Sequence, residues 1–303
     1  MMKPKKSKFF KKEDVPLYIM ALPTVLFLLI FCYAPMGGLV MAFQNFNVTK
    51  GIFGSDFCGL ANFKYLFSTS DAALITRNTV CYNLVFIVVN MFLAVTMALM
   101  LSELTARKYA KTLQTVYMLP YFLSWAVVSI VLTAFLDKSS GIVNSWLGTH
   151  TDWYKKKDIW PALLVGINAW KGVGYSTVLY LAVISGISQE FYEAAIIDGA
   201  TKFQQAIYIT IPHLRMVMAI SLILSMGSIF RGDFGLFYSV TKDSGRLYEV
   251  TDVIDTYVYR ALTQLSNVGM STAAGMYQSV CGFVLVIITN AIVTKIDPDS
   301  AMF

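Results

Sequence analysis

Six apolar runs follow one another along the chain, at about 17–43, 80–102, 113–136, 162–187, 216–238 and 275–294. A helix rises 1.5 Å per residue, so about 20 apolar residues cross a hydrocarbon core about 30 Å thick. The pattern predicts an all-α membrane protein, with six transmembrane helices in one continuous bundle. The second run is apolar almost all round. Its exceptions, Asn83 and Asn90, lie on one helical face and are expected to bond neighbouring helices. Pro23 and Pro35 in the first run predict a helix that becomes irregular near its outer end. Aromatic residues, first Phe43, Phe46, Tyr65 and Phe67 and then Trp146, Trp153, Tyr154 and Trp160, mark the outer interface.

The connector between the fourth and fifth runs is too long and too patterned to be a turn. It reads EAAIIDGATKFQQAIYITIPHL from Glu193 to Leu214. Ser188 to Asp198 is helix-compatible, with Glu190 and Glu193 near its N-terminal end, where the helix dipole favours acids. Gly199 is suited to the left-handed C-terminal position that ends such a helix. Thr201 then caps a second helix, Gln204 completes a capping box, and Phe203, Ile207 and Ile211 recur at four-residue spacing. Pro212 is expected to stop that helix before the fifth run. Two short helices meeting at a glycine elbow suit either a plug for a socket or an amphipathic hairpin lying in the headgroup layer.

Charge fixes how the runs face the membrane. Of 303 residues, 56% are hydrophobic and 14% charged, which excludes a soluble globular domain. The formal charge of +6 would permit nucleic-acid binding, but six lysines crowd the first twelve residues, directly ahead of the first run. They act as a cytoplasmic anchor beside membrane lipids, in a basic tail over 1–16, and no nucleic-acid partner is expected. Six spans starting inside place both termini in the cytoplasm, with a tail over 295–303. Basic residues are denser on the inner connectors, although Lys155 to Lys157 count against this orientation. The first run is too long for a cleaved signal core and is expected to remain as a span. Cys32, Cys58, Cys81 and Cys281 show no pairing framework.

The series Glu193, Ala194, Ala195, Gly199, Ile209 and Pro212 resembles the EAA signature of permease subunits in binding-protein-dependent ABC importers. Asp198 and Ala200 match the DGA version common in sugar permeases. Isoleucine replaces leucine before the proline, and Met216 stands where many members have a second proline. "GLANFKYLF" before the second run and "DVIDTYVYR" before the sixth resemble a branch handling oligosaccharides or polysaccharide-derived sugars.

The resemblance implies a type I importer fold with a cytoplasmic coupling helix over 188–215. An outer loop at 44–79 would lead into a permease domain over 75–294. It also implies partners: a cytoplasmic ABC ATPase dimer, a second homologous permease forming a heterodimer, and an extracellular sugar-binding lipoprotein on a bacterial plasma membrane. ATP and Mg would be used by the ATPase, with no cofactor bound by this chain. No G-x-x-x-x-G-K-[ST] loop occurs, and "KGVGYST" at Lys171 to Thr177 lacks the phosphate-binding lysine of that loop. His150 and His213 are the sole histidines, and no HExxH or GxSxG motif accompanies them.

Arg231 and Asp233, toward the outer end of the fifth run, are ionisable groups at membrane depth and hence functional candidates. They are placed to pair with each other, and suit either a gate or packing bridge that snorkels to the outer surface, or a sugar path completed by Phe234 and by Trp170 and Tyr175 on the fourth run. Asp252, Asp255 and Arg260 suit either a docking surface or a solvated helix face. An ion-coupled secondary transporter using Arg231 and Asp233 is the alternative function, and a membrane scaffold a third.

Overall fold

Helix fills each of the six apolar runs, but two runs are broken where the sequence suggested continuity. The computed structural model describes residues 15–68, 70–104 and 106–296. The six N-terminal lysines and the end of the C-terminal tail lie outside these residues. The first helix, α1, runs Val15–Phe43. It is regular to Leu28, widens to a π-turn over Leu29–Tyr33, and tightens to a 3-10 helix over Ala34–Phe43. The irregular end expected from the two prolines forms at Pro35, whereas Pro23 is carried inside the regular Val15–Leu28 helix, where its missing N–H does not break the element. No residue of Val15–Leu28 is buried, and the 3-10 portion is seated against the last helix.

Residues 44–79, expected as an outer loop, hold folded elements. An antiparallel hairpin pairs Gln44 with Phe57 and Asn45 with Asp56. Helix α2 (Ala61–Ser68) follows, and α3 (Ser70–Ser102) begins well before the apolar run does. Those extra turns are amphipathic: Ile75 packs with Leu66, Ile254 and Met270, while Thr79 is buried.

The third run is not one straight span. Helix α4 (Arg107–Met118) gives way to a 3-10 turn over Leu119–Phe122, and α5 (Trp125–Leu136) leaves at 97°. Pro120 has no N–H to continue the ladder, and Ser124 starts a new helix by accepting the Val127 amide. Helix α6 (Trp160–Ser185) opens with Pro161 in its first turn and packs along α3. Small residues Ala94, Ala98 and Ala169 line that contact with Val173 and Tyr180, letting the backbones approach.

Helices α7 (Gln189–Ile197) and α8 (Lys202–Gly227) form the elbow and the inner portion of the fifth span. Pro212 does not end the second elbow helix, contrary to expectation. A π-turn over Ala206–Thr210 absorbs the proline, which falls in the first turn of the segment Ile211–Gly227. The fifth run itself stops early: α8 ends at Gly227, and only a short π-turn at Gly235–Val240 resumes. Glycines at 227, 232 and 235 and the charges of Arg231 and Asp233 interrupt the helix there. Helices α9 (Ile254–Thr263) and α10 (Val268–Ile296) complete the bundle.

Among the described residues, four helices are long and apolar enough to cross a membrane, or five if the bent α4–α5 pair is one span. The less apolar α6, at 26 residues, has the length to cross as well. The two amides on α3 tie helices together as expected. Asn83 Nδ2 donates to the carbonyls of Ile229 (2.8 Å) and Arg231 (2.9 Å), and Asn90 Nδ2 donates to Asn168 Oδ1 (2.8 Å).

Candidate coupling elbow and translocation cleft

The elbow is built from local signals. Ser188 caps α7, and Gly199 takes φ +77°, a left-handed geometry that costs other residues about 1–2 kcal/mol. The Gly199 and Ala200 amides return to the carbonyls of Ile196 and Ala195, closing the helix end. Thr201 and Gln204 form the capping box in full: the Gln204 amide reaches Thr201 Oγ1, and the Thr201 amide donates to Gln204 Oε1. Cross-braces set the angle between the arms. The Tyr192 hydroxyl bonds Thr210 Oγ1 at 3.0 Å, and the Phe191 ring lies 5.5 Å from the His213 ring. His213 Nδ1 sits 2.6 Å from the Ile209 carbonyl, inside the widened turn.

Around this frame the signature residues divide by exposure. Glu193, Ala194, Asp198, Gly199 and Pro212 are exposed, while Ala195, Ala200 and Ile209 are half-buried. Large apolar groups also face outward: Ile197 is 87% exposed, Phe203 75% and Tyr208 76%. At the base of the elbow, Lys202 Nζ bonds Glu103 Oε2 at 3.0 Å, joining it to the C-terminal end of α3.

At mid-depth, α3, α6 and α8 enclose a cleft of about 380 Å³. Its polar lining includes Asn83, Asn90, Asn168, Ser176, Ser221, Ser225, Arg231 and Asp233. The Asn90 Oδ1 is buried without a partner. Arg231 and Asp233 thus reach the same cleft, where no ion pair joins them. Asp233 instead accepts the Trp125 indole N–H (2.9 Å) and the Leu236 amide (3.2 Å). The Leu236 amide lies in the first turn of the segment that resumes at Gly235, where a helical N–H is otherwise free for that carboxylate. Gly235 makes room for the indole, since a Cβ there would fall 2.1 Å from Trp125 Cδ1.

Tyr175 stacks on Tyr121, with centroids 4.5 Å apart and planes at 12°, and Phe234 stacks on Tyr238 at 4.8 Å. Trp170 is exposed on α6 and does not line the cleft. Sequence reasoning named neither Trp125 nor Lys171 for this region. Lys171 donates to the Tyr121 carbonyl at 2.8 Å and stands over the Tyr121 and Trp125 rings. A lysine in the middle of an apolar run was the available signal.

The charges before the last helix turn inward instead of forming the expected docking or solvated surface. Arg260 bonds Asp243 Oδ1 (2.9 Å) and Asp252 Oδ2 (2.5 Å) while covering the Tyr248 ring. Asp255 Oδ2 accepts the Gly232 amide and Gln278 Nε2, joining α9 and α10 to the break after α8. Burial pushes the Asp255 carboxyl above its ordinary range, opposed by the Gly232 amide, Gln278 and the Arg231 charge.

Residues 90–298 match the family described as the binding-protein-dependent transport system inner membrane component. Among curated proteins, LplB of Bacillus subtilis is 32% identical, over 95% of this chain and 91% of its own length. The Bacillus subtilis polygalacturonan/rhamnogalacturonan transport system permease protein YteP is 31% identical, over 92% and 88%. The solved structure of a bacterial ABC transporter involved in importing the acidic polysaccharide alginate has a chain of TM-score 0.85 and 31% identity. The likeness covers 94% of this chain and 97% of that one. A related structure captures that transporter with an alginate pentasaccharide-bound periplasmic protein, at TM-score 0.84. The braced elbow, the polar cleft and the helical bundle are thus those of a multi-pass chain that belongs to the inner-membrane permease family of binding-protein-dependent ABC transport systems.

Proposed function

We propose that the chain is a translocating subunit of an ATP-driven carbohydrate importer, its elbow docking on a separate cytoplasmic ATPase. The observation that carries this reading is the braced elbow: two capped arms locked at Gly199, with Ile197, Phe203 and Tyr208 turned outward. An element that transmits a partner's movement needs rigidity and a contact surface, because coupling is a difference in binding free energy between states. Burying those side chains against a partner would stabilise the docked state by several kcal/mol, at about 25 cal/mol per Å² of apolar surface. A hairpin floating in headgroups would not need the Tyr192–Thr210 brace.

The relatives are named for polygalacturonan/rhamnogalacturonan, arabinooligosaccharide and trehalose/maltose transport, which supports a saccharide cargo here. A cleft lined by amides and hydroxyls suits such a cargo. The extracellular binding protein, the second permease forming a heterodimer, the permease domain over 75–294 and the cytoplasmic placing of both termini belong to the same reading. ATP and Mg act at the partner ATPase, and this chain contributes no nucleotide site.

The test is uptake by the assembled complex in proteoliposomes. Gly199→Pro forces φ to about −65°, incompatible with the elbow, and is expected to abolish ATP-driven uptake while the chain still inserts and assembles. Wild-type rates from that variant, or from vesicles lacking the ATPase, would overturn the proposal.

A further inference from the structure

Helix α6 carries one charged side chain, and it stands about 17 Å from the helix start, near the middle of the span. Lys171 cannot face lipid at that depth without cost, so the α6 face it shares with Asn168 and Tyr175 belongs to a wet path or a polar partner. Its ammonium has three donors, of which the Tyr121 carbonyl takes one. Among the described residues, no carboxylate lies within the 4.0 Å of an ion pair with it. Asp233 is engaged by the Trp125 indole N–H and by the Leu236 amide.

Around this cation lies an aromatic floor. The Trp125 and Tyr121 ring centroids are 5.2 and 5.4 Å from the ammonium, and Tyr175 stacks on Tyr121. Tyr121 and Tyr175 are 41% and 54% exposed, so their uncovered faces are open to a ligand. The indole is fixed in advance by Asp233 and by its seat on Gly235. Sugar rings pack on aromatic faces, and a carboxylate pairs with an ammonium. A ring face beside an uncommitted cation is the pairing a uronic-acid unit requires, and the cation is the feature that a neutral hexose would not use.

We propose that Lys171, with the floor of Tyr121, Trp125 and Tyr175, is a recognition site for the carboxylate of an acidic sugar unit; the four residues lie outside the cleft lining but adjoin it through Asp233, bonded to Trp125, and Asn168, one turn before Lys171. This rests on the permease reading above and adds the cargo's charge. Asp233 and Asn168 then receive hydroxyls of the same or the next unit, Asp233 through its remaining lone pairs.

Proteoliposomes holding the complete complex would be assayed for ATP-driven uptake of galacturonate oligomers of two to five units, and of the same oligomers carboxyl-reduced to galactose. Lys171→Gln removes the charge while keeping an N–H for the Tyr121 carbonyl, and Lys171→Arg keeps the charge. Lys171→Gln is expected to raise the KM for the acidic oligomers tenfold or more and leave the neutral ones unchanged, with Lys171→Arg close to wild type. An equal loss on both substrates would assign Lys171 to the bend alone and overturn the site. So would a wild-type complex that carries only the neutral oligomers, although the permease reading would stand. Absence of ATP-driven uptake of either substrate would instead overturn the permease reading, and the site with it.

Discussion

Asp255 shows how much one side chain can hold. Its carboxylate joins α9, α10 and the break beyond α8 through the Gly232 amide and Gln278. Asp255→Ala leaves both donors unpaired, at about 1–3 kcal/mol each, and is expected to lower the melting temperature of the purified complex by several degrees. Because burial raises this carboxyl's pKa in the fold, its stabilising contribution is fully present below the ordinary carboxylate range. It is lost as pH rises through the raised value. Melting followed across acidic pH should therefore show a component favouring acid that Asp255→Asn removes. The sequence named Asp255 but left its role open between a docking surface and a solvated face, since nothing local reveals that Gly232 and Gln278 converge on it. Lys171 was hidden in the same way: its meaning depends on Tyr121 and Trp125, some fifty residues earlier.

The elbow was the most legible of the elements, because its signals are all within a few residues of one another. Gly199, Thr201 and Gln204 do in the structure what their spacing implies. Thr201→Ala, which removes the cap, should cost about 1 kcal/mol. It should appear as faster amide hydrogen exchange across Lys202–Gln205, leaving α6 protected. Tyr192→Phe removes the brace to Thr210 without changing either arm. It is expected to slow uptake and leave assembly intact, read as a lower uptake rate per ATP hydrolysed. Pro212 misled because a π-turn can take up a proline that local rules treat as a stop, and Pro120 was passed over although it opens a 97° bend. The outer half of the fifth run failed for a different reason. Hydropathy registers Phe230, Phe234 and Phe237 but not the backbone freedom of the glycines among them.

On the scale of the whole molecule, much of the surface is apolar without being covered. Val15–Leu28 has no buried residue, and α6 presents Trp170, Tyr175 and Leu179 outward. Lipid suits the first of these, whereas the proposed second permease would cover α6 around the ligand face of Lys171 and Tyr175. The chain expressed alone is therefore expected to be cleaved rapidly by added protease, and co-expression with its partner permease to protect it. Equal protease half-lives with and without that partner would contradict the heterodimer.

Helix α3 joins the two ends of this molecule in one piece. Its 33 residues make a rod about 50 Å long. Just past its inner end Glu103 holds the elbow through Lys202, and near its outer end Asn78 bonds the Asp252 carbonyl at 3.0 Å. A rigid rod that pivots about its middle swings its ends in opposite directions. The middle is where Asn83 and Asn90 grip the chain after α8 and α6. A tug on the elbow would then widen the bundle's mouth on one side of the membrane as it narrows the other, so that the two doors need no separate signal to keep them from standing open together.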